Sequence, residues 1–199
     1  MNVHRFLSTA SCKRLFQKTA RIADAMNRKK ITCAHRKSIF PLLDGMFLEQ
    51  FYKEFAGKDL LMDDLEVSEA AEEMVKNPSA MDVLVSTDMY GTILAGLAAG
   101  MVGGSYLTPV GSLGNDSGLF EPMHGPNPKL IRDGFANPTS AILSAAMALD
   151  SMGMSPEGER IRKAVKYTYA GGGVTPDVGG KATTKEFTDF VIKALNNMD

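Results

Sequence analysis

Hydrophobic positions along the first half of the chain switch between helical and strand-like spacing. Cys12 to Asn27 carries Leu15, Phe16, Ala20, Ile22, Ala23 and Met26 at broken helical intervals and ends in the basic run Arg28-Lys29-Lys30. Ile31 to Ala34 reads as a short strand. Pro41 to Phe55, with Leu42, Leu43, Met46, Phe47, Phe51 and Phe55, reads as a helix with a wide apolar face. A second strand is expected near Leu60 to Met62, followed by a helix over Ser68 to Lys76 that Asn77-Pro78 stops. Met81 to Val85 reads as a buried strand and Met89 to Met101 as a helix of small residues closed by Gly103-Gly104. Strands alternating with helices predict an α/β domain.

From Gly103 to Pro138 the texture changes. Glycine and proline recur, helical spacing disappears, and only Gly118-Leu119-Phe120-Glu121 has the look of a strand. Long loops inside a domain are commonly functional. The segment Phe120-Glu121-Pro122-Met123-His124-Gly125-Pro126-Asn127-Pro128 sets a Glu and a His among turn-formers, a pattern equally suited to a rigid turn or to a loop whose backbone approaches a ligand. Helices are expected over Thr139 to Met152, Pro156 to Tyr169 and Thr184 to Asn196.

The 199 residues carry 22 Lys+Arg against 23 Asp+Glu, a formal net charge of -1. This balance gives no overall basic surplus for nucleic acid or anionic lipid, so neither is expected as a partner. No apolar run approaches the roughly 20 residues that span a bilayer. Cys12 and Cys33 make neither a disulfide framework nor a zinc spacing, so the chain reads as soluble with reduced thiols. His4, His35 and His124 are too scattered to form a metal triad, and there is neither a Gly-Lys-Ser/Thr phosphate loop nor a Gly-x-Gly-x-x-Gly after a strand. The charge is uneven, however. Met1 to Ala23 has no acidic residue but holds Arg5, Lys13, Arg14, Lys18 and Arg21 among Ser8, Thr9, Ser11 and Thr19. That is the composition of a mitochondrial transit peptide, expected over residues 1–11, or of one solvated basic helix face.

Several runs together resemble a known family: Asp82-Val83-Leu84-Val85, Tyr90-Gly91-x-Ile93-Leu94, Leu97 to Gly104, Leu119-Phe120-Glu121-Pro122-x-His124-Gly125, Ala136-Asn137-Pro138-Thr139 and Thr175-Pro176-Asp177-x-Gly179-Gly180. The chain is similar in these to the metal-dependent decarboxylating dehydrogenases of 2-hydroxy acids, the isocitrate and 3-isopropylmalate dehydrogenases. Asp44-Gly45-x-Phe47-Leu48 looks closest to the mitochondrial NAD-dependent isocitrate dehydrogenase subunits. The resemblance runs from about Cys12 to the end. It implies the C-terminal part of an isopropylmalate dehydrogenase-like α/β fold, with a partial substrate and dimerisation domain over 12–102 and a partial large domain with the dinucleotide-binding loop over 103–199.

Such enzymes transfer hydride to NAD or NADP and then decarboxylate, using Mg²⁺ or Mn²⁺ held on aspartates, with a lysine and a tyrosine moving protons. By resemblance, the aspartate positions are here Ser68, Thr92 and Gly96, which bring no charge to offset dehydration of the ion, so no metal site is expected. The family's His-Lys-Ala-Asn is His35-Arg36-Lys37-Ser38, placing Arg36 at the catalytic lysine, where a guanidinium cannot serve as a base. Lys37, the adjacent residue, is expected to point the other way. Asp88 replaces an asparagine at the nicotinamide end. The resemblance assigns Glu121, His124, Gly125 and Asn137 to the dinucleotide, with Lys129 where NAD-type members carry an aspartate that binds ribose hydroxyls. A lysine there suits a 2′-phosphate, so NADP is expected ahead of NAD, although Leu130 and Arg132 depart from the NADP pattern.

The family's Gly-rich opening, its arginine cluster for substrate carboxylates and its tyrosine have no counterpart in this sequence. The family works as dimers that exchange the lysine and one aspartate, so Arg36 and Ser68 are expected to enter a partner's site. Three readings follow: a degenerate or regulatory subunit of a mitochondrial, tricarboxylic acid cycle isocitrate dehydrogenase, paired with an intact subunit or with itself; an active NAD(P)-dependent decarboxylase that improvises with Lys37, Glu69 or Asp88; and an incomplete gene product.

Overall fold

The computed structural model describes residues 5–129 and 134–198. The chain divides into two units, residues 1–98 and 99–199.

In the first unit, helix α1 (Thr9–Ala25) starts at Ser8, whose hydroxyl accepts the Ser11 N–H at 3.1 Å while the Ser11 hydroxyl accepts the Ser8 N–H at 3.2 Å. Its buried residues Cys12, Phe16 and Ala23 recur on one face. The chain reverses through Asn27, whose φ of 51° places it in the left-handed region that asparagine tolerates. Three parallel strands follow in the order β2-β1-β3: β1 (Lys30–His35), β2 (Leu61–Glu66) and β3 (Val83–Ser86). Helix α2 (Leu43–Phe55) links β1 to β2, helix α3 (Val67–Lys76) links β2 to β3, and helix α4 (Asp88–Met101) leaves β3.

Because strand residues alternate, β1 feeds two cores. Ile31 and Cys33 join Cys12, Phe16, Phe47, Phe51, Phe55 and Val85 on one face of the sheet. Ala34 joins Ala70, Met74 and Leu94 on the other. Phe16 lies 4.9 Å from Phe47, 5.8 Å from Phe51 and 5.9 Å from Phe55, ring centre to ring centre, so α1 is bound to α2 by fully buried aromatics. Each such side chain contributes roughly 1.5–3 kcal/mol of burial free energy.

The second unit opens on an antiparallel hairpin, β4 (Pro109–Leu113) and β5 (Gly118–Pro122), in the register Pro109↔Pro122 to Leu113↔Gly118. Helices α5 (Thr139–Ser151), α6 (Ser155–Ala170) and α7 (Thr184–Asn196) follow. Gly111 lets the hairpin close onto α5, since a Cβ there would lie 3.2 Å from the Met147 methyl. The α6 and α7 faces meet through Ala164, Val165, Phe187 and Val191.

Within residues 1–11, expected as a leader, Thr9 to Ser11 are the first turn of α1 and Arg5 donates to Asp44, Thr87 and Tyr90. The structure departs from the sequence expectations in two places. Strand β2 runs on past Met62 to Glu66, because pairing with β1 in the register Lys30↔Leu61 to His35↔Glu66 overrides the poor strand preference of Asp63 and Asp64. Strand β4 lies where no strand is expected, because Pro109 opens it and Gly111-Ser112 dilute its apolar pattern. Proline is tolerated at a first strand position, where β4 places it.

Candidate active-site remnant

Parallel strands bring their carboxyl ends to one edge of a sheet, the usual place for ligands in α/β folds. In the first unit that edge carries His35 at the end of β1 with Arg36 after it, Glu66 at the end of β2 with Ser68 after it, and Ser86 at the end of β3 with Thr87 after it.

Arg36 turns towards β2. Its Nη1 donates to Glu66 Oε2 at 3.2 Å and to Ser68 Oγ at 3.1 Å, and its main-chain N–H donates to Asp44 Oδ2 at 2.7 Å. Ser38 adds two bonds to the same carboxylate, N–H to Oε1 at 3.0 Å and hydroxyl to Oε2 at 2.9 Å. Burial raises the Glu66 pKa, but the Ser38 bonds and the Arg36 guanidinium outweigh it and hold the carboxyl below its ordinary value. Lys37 lies beside α2, where a Cβ at Gly45, in its first turn, would sit 3.9 Å from the Lys37 Cε, and its charge also acts on Asp64.

Beside this cluster, His35 Nδ1 accepts the Lys37 N–H at 3.1 Å, so its proton is on Nε2, which donates to Asp64 Oδ2 at 2.9 Å. Tyr52 donates to the other oxygen of Asp64. Burial and this bond push the Tyr52 phenol up to about 12. The Asp64 carboxyl, raised by burial, is brought below its ordinary value by the hydrogen bonds from Tyr52 and His35. Asp44 is fully buried and also receives the Arg5 guanidinium at 3.4 Å.

The three positions expected to have lost metal aspartates make a poor donor set. The Ser68 hydroxyl is already engaged by Arg36, and Thr92 and Gly96 stand one turn apart on an exposed part of α4. Among the described residues no three His, Cys, Asp or Glu side chains gather as a metal-binding group. A hard divalent cation needs anionic oxygens, and this set does not fit one.

In the second unit the expected dinucleotide residues separate into two environments. Glu121 on β5 is exposed, as are Gly125 and Lys129; Leu130 and Arg132 lie outside the described residues. The His124 ring stacks on Tyr106, centroids 4.0 Å apart and planes 15° from parallel, and Met123 ties the loop back by donating to the Thr108 carbonyl at 3.1 Å. Asn137, by contrast, is buried. Its amide donates to Tyr169 at 3.2 Å and to Asp177 at 3.0 Å, and its carbonyl accepts the Thr139 N–H at 3.0 Å. Both amide hydrogens are therefore committed inside the protein, and the side chain is a brace between the start of α5, α6 and the turn at 176–178 rather than a group turned to a ligand.

Glu66 and Tyr106 are not among the residues the sequence points to, and Asp44 and Arg5 appear there only as a motif residue and as part of the basic N-terminal run. Glu66 could have been found as a charge inside a strand next to a helix start; nothing local marks Arg5, whose partners are 39 to 85 residues away.

Residues 2–191 match the family model for isocitrate/isopropylmalate dehydrogenase. The chain belongs to this family. The match begins well ahead of Cys12, in agreement with the folded role of Arg5 and the first turn of α1. The chain is 41% identical over 194 residues to an isocitrate/homoisocitrate dehydrogenase of Thermus thermophilus, covering 96% of this chain and 58% of that protein. It is 33% identical over 199 residues to the human mitochondrial NAD isocitrate dehydrogenase subunit alpha, covering 98% and 54%. A crystal structure of isocitrate dehydrogenase from Methylococcus capsulatus superposes with a TM-score of 0.89 at 33% identity, over 98% of this chain and 58% of that one. The chain thus spans a little over half the length of these relatives. Bacterial and mitochondrial members match alike, so likeness does not single out a mitochondrial location.

Proposed function

We propose that this chain is a catalytically degenerate member of the family that pairs with an intact isocitrate dehydrogenase chain and modulates it. The observation that carries this reading is Arg36: at the family's lysine position stands a guanidinium that stays protonated and is held by Glu66 and Ser68. The uncharged set Ser68, Thr92 and Gly96 supports it further. The reading predicts that the chain alone gives no metal-dependent NAD(P)H production with isocitrate, homoisocitrate or isopropylmalate. It also predicts that the chain co-purifies with an intact family member when the two are co-expressed. Turnover by the chain alone, or separate elution of the two chains, sinks the reading.

An active enzyme improvising with Lys37, Glu69 and Asp88 has less support. Lys37 lies beside the first turn of α2, and Glu69 Oε2 is occupied by the Glu66 N–H at 3.1 Å. For the dinucleotide, the residues that suit it are Glu121, His124, Gly125 and Lys129, of which His124 is positioned by Tyr106. The ammonium of Lys129 favours a 2′-phosphate, so NADP is placed ahead of NAD; a titration in which NAD binds tighter reverses this. A mitochondrial location is supported only by the acid-free, basic N-terminal composition and by mitochondrial members among the relatives. Imaging of the tagged chain tests it.

A further inference from the structure

The outward side of α1 carries a pattern that the core around Phe16 does not use. Leu15, Thr19, Ile22 and Met26, which caps the helix, follow one another at intervals of four, three and four residues, the spacing of a coiled-coil seam. Leu15 is 39% exposed, Ile22 42% and Met26 52%, while Cys12, Phe16 and Ala23 on the adjoining side of the helix are buried. The Thr19 hydroxyl donates to the Leu15 carbonyl at 2.9 Å, so its polar atom is satisfied within the helix and does not interrupt the strip. The flank away from the core is basic, with Arg14 and Lys18 one turn apart and Arg21 following, and the chain ahead of Asp24 has no acidic residue. Arg21 shares a cleft with Asp24 and Glu54, which leaves Arg14 and Lys18 to set the sign of the flank.

We propose that this face of α1 docks a partner's amphipathic helix whose apolar seam is flanked by glutamates or aspartates. A helix laid along α1 meets Leu15, Ile22 and Met26 in successive turns, and its carboxylates meet Arg14 and Lys18. A second copy of α1 does not suit the face, since it would bring the same cations against them. A lipid surface suits it less than a helix does, because half-buried side chains stop short of the acyl layer that an interfacial helix enters. The inference concerns α1 alone and stands apart from the pairing with an intact relative.

Fluorescence anisotropy of two labelled synthetic helices titrated with the full chain tests it, one helix having a leucine seam flanked by glutamates and its twin lysines in their place. The acidic helix is expected to bind tighter than the basic one by about tenfold or more. Its binding is expected to weaken as salt rises from about 0.05 to about 0.5 M, because screening acts on the charge pairs. Leu15→Ser combined with Ile22→Ser is expected to weaken it by about tenfold or more. Arg14→Glu combined with Lys18→Glu is expected to exchange the preference, so that the lysine-flanked helix binds tighter, an outcome that loss of folding does not produce. Equal binding of the two helices, binding that strengthens with salt, an unchanged affinity in the serine variant or an unchanged preference in the glutamate variant overturns the proposal. Co-sedimentation of the chain with phosphatidylserine vesicles that the serine variant abolishes assigns the face to lipid and overturns it as well.

Discussion

At position 36 the guanidinium brings a rigid fork and a permanent charge, and both are taken up by neighbours inside the chain. The main chain at that residue leans on Asp44, a fully buried carboxylate that accepts the Arg36 N–H at 2.7 Å and faces the Arg5 guanidinium. Asp44→Ala removes the acceptor, leaving the Arg36 N–H without this partner and the Arg5 guanidinium with only Thr87 and Tyr90. It is expected to destabilise the chain by about 2–3 kcal/mol in urea unfolding, with Asp44→Asn losing less. Tyr52 offers a test through pH. Its folded pKa, about 12, lies above the ordinary 10.0, so the native state keeps the proton longer than the unfolded state. The stabilisation is whole below pH 10 and declines as pH rises towards 12. Tyr52→Phe is expected to flatten that alkaline decline, read from denaturant midpoints against pH. The Asp64 carboxyl has the opposite sign: held low, it stabilises above its unfolded pKa and loses this as pH falls through its folded value.

Among the elements, those with strong apolar spacing were legible. The run Phe47, Phe51, Phe55 declares α2, and the helix expected over Thr184 to Asn196 coincides with α7, at whose start the Thr183 hydroxyl accepts the Glu186 N–H at 3.2 Å. Elements defined by pairing rather than by pattern were not: β2 passes through Asp63, Asp64 and Glu66, and β4 opens on Pro109. The site divides in the same way. Arg36, Ser68 and His124 were reached through motifs, whereas Glu66 acquires meaning only when β2 lies beside β1, which local spacing does not encode. The turn Thr175 to Gly180 shows a motif glycine with a steric cause. A Cβ at Gly180 would sit 1.8 Å from the Val174 carbonyl oxygen, and the Gly180 N–H donates to the Thr175 carbonyl at 3.0 Å. Gly180→Ala must move backbone rather than a side chain. We expect a loss of about 3 kcal/mol, checked by thermal unfolding and by faster amide exchange at the start of α7.

For the molecule as a whole, the governing facts are a three-stranded sheet and a length a little over half that of its relatives. Within the first unit the sheet ends on β2 and β3, and both edges are open among the described residues. The β2 edge carries Asp63, Asp64 and Glu66, charges that oppose edge-to-edge pairing, and β3 is only four residues long. The helices and strand ends have no such protection. Leu42 is 89% exposed, Leu61 71%, Ile93 64% and Met89 55%, on α2's approach, β2 and α4. Isolated exposed apolar side chains are ordinary, but Met89 and Ile93 stand one turn apart on α4 and add an apolar strip to that helix face. The chain alone is therefore expected to bind a hydrophobic dye and to scatter light increasingly with concentration. Leu61→Lys combined with Ile93→Lys is expected to lower both signals while leaving the near-ultraviolet circular dichroism of the aromatic core around Phe16 unchanged. Dye binding that persists in that variant assigns the sticky surface to other residues, and a loss of the aromatic signal shows that Leu61 or Ile93 supports the core rather than only facing solvent.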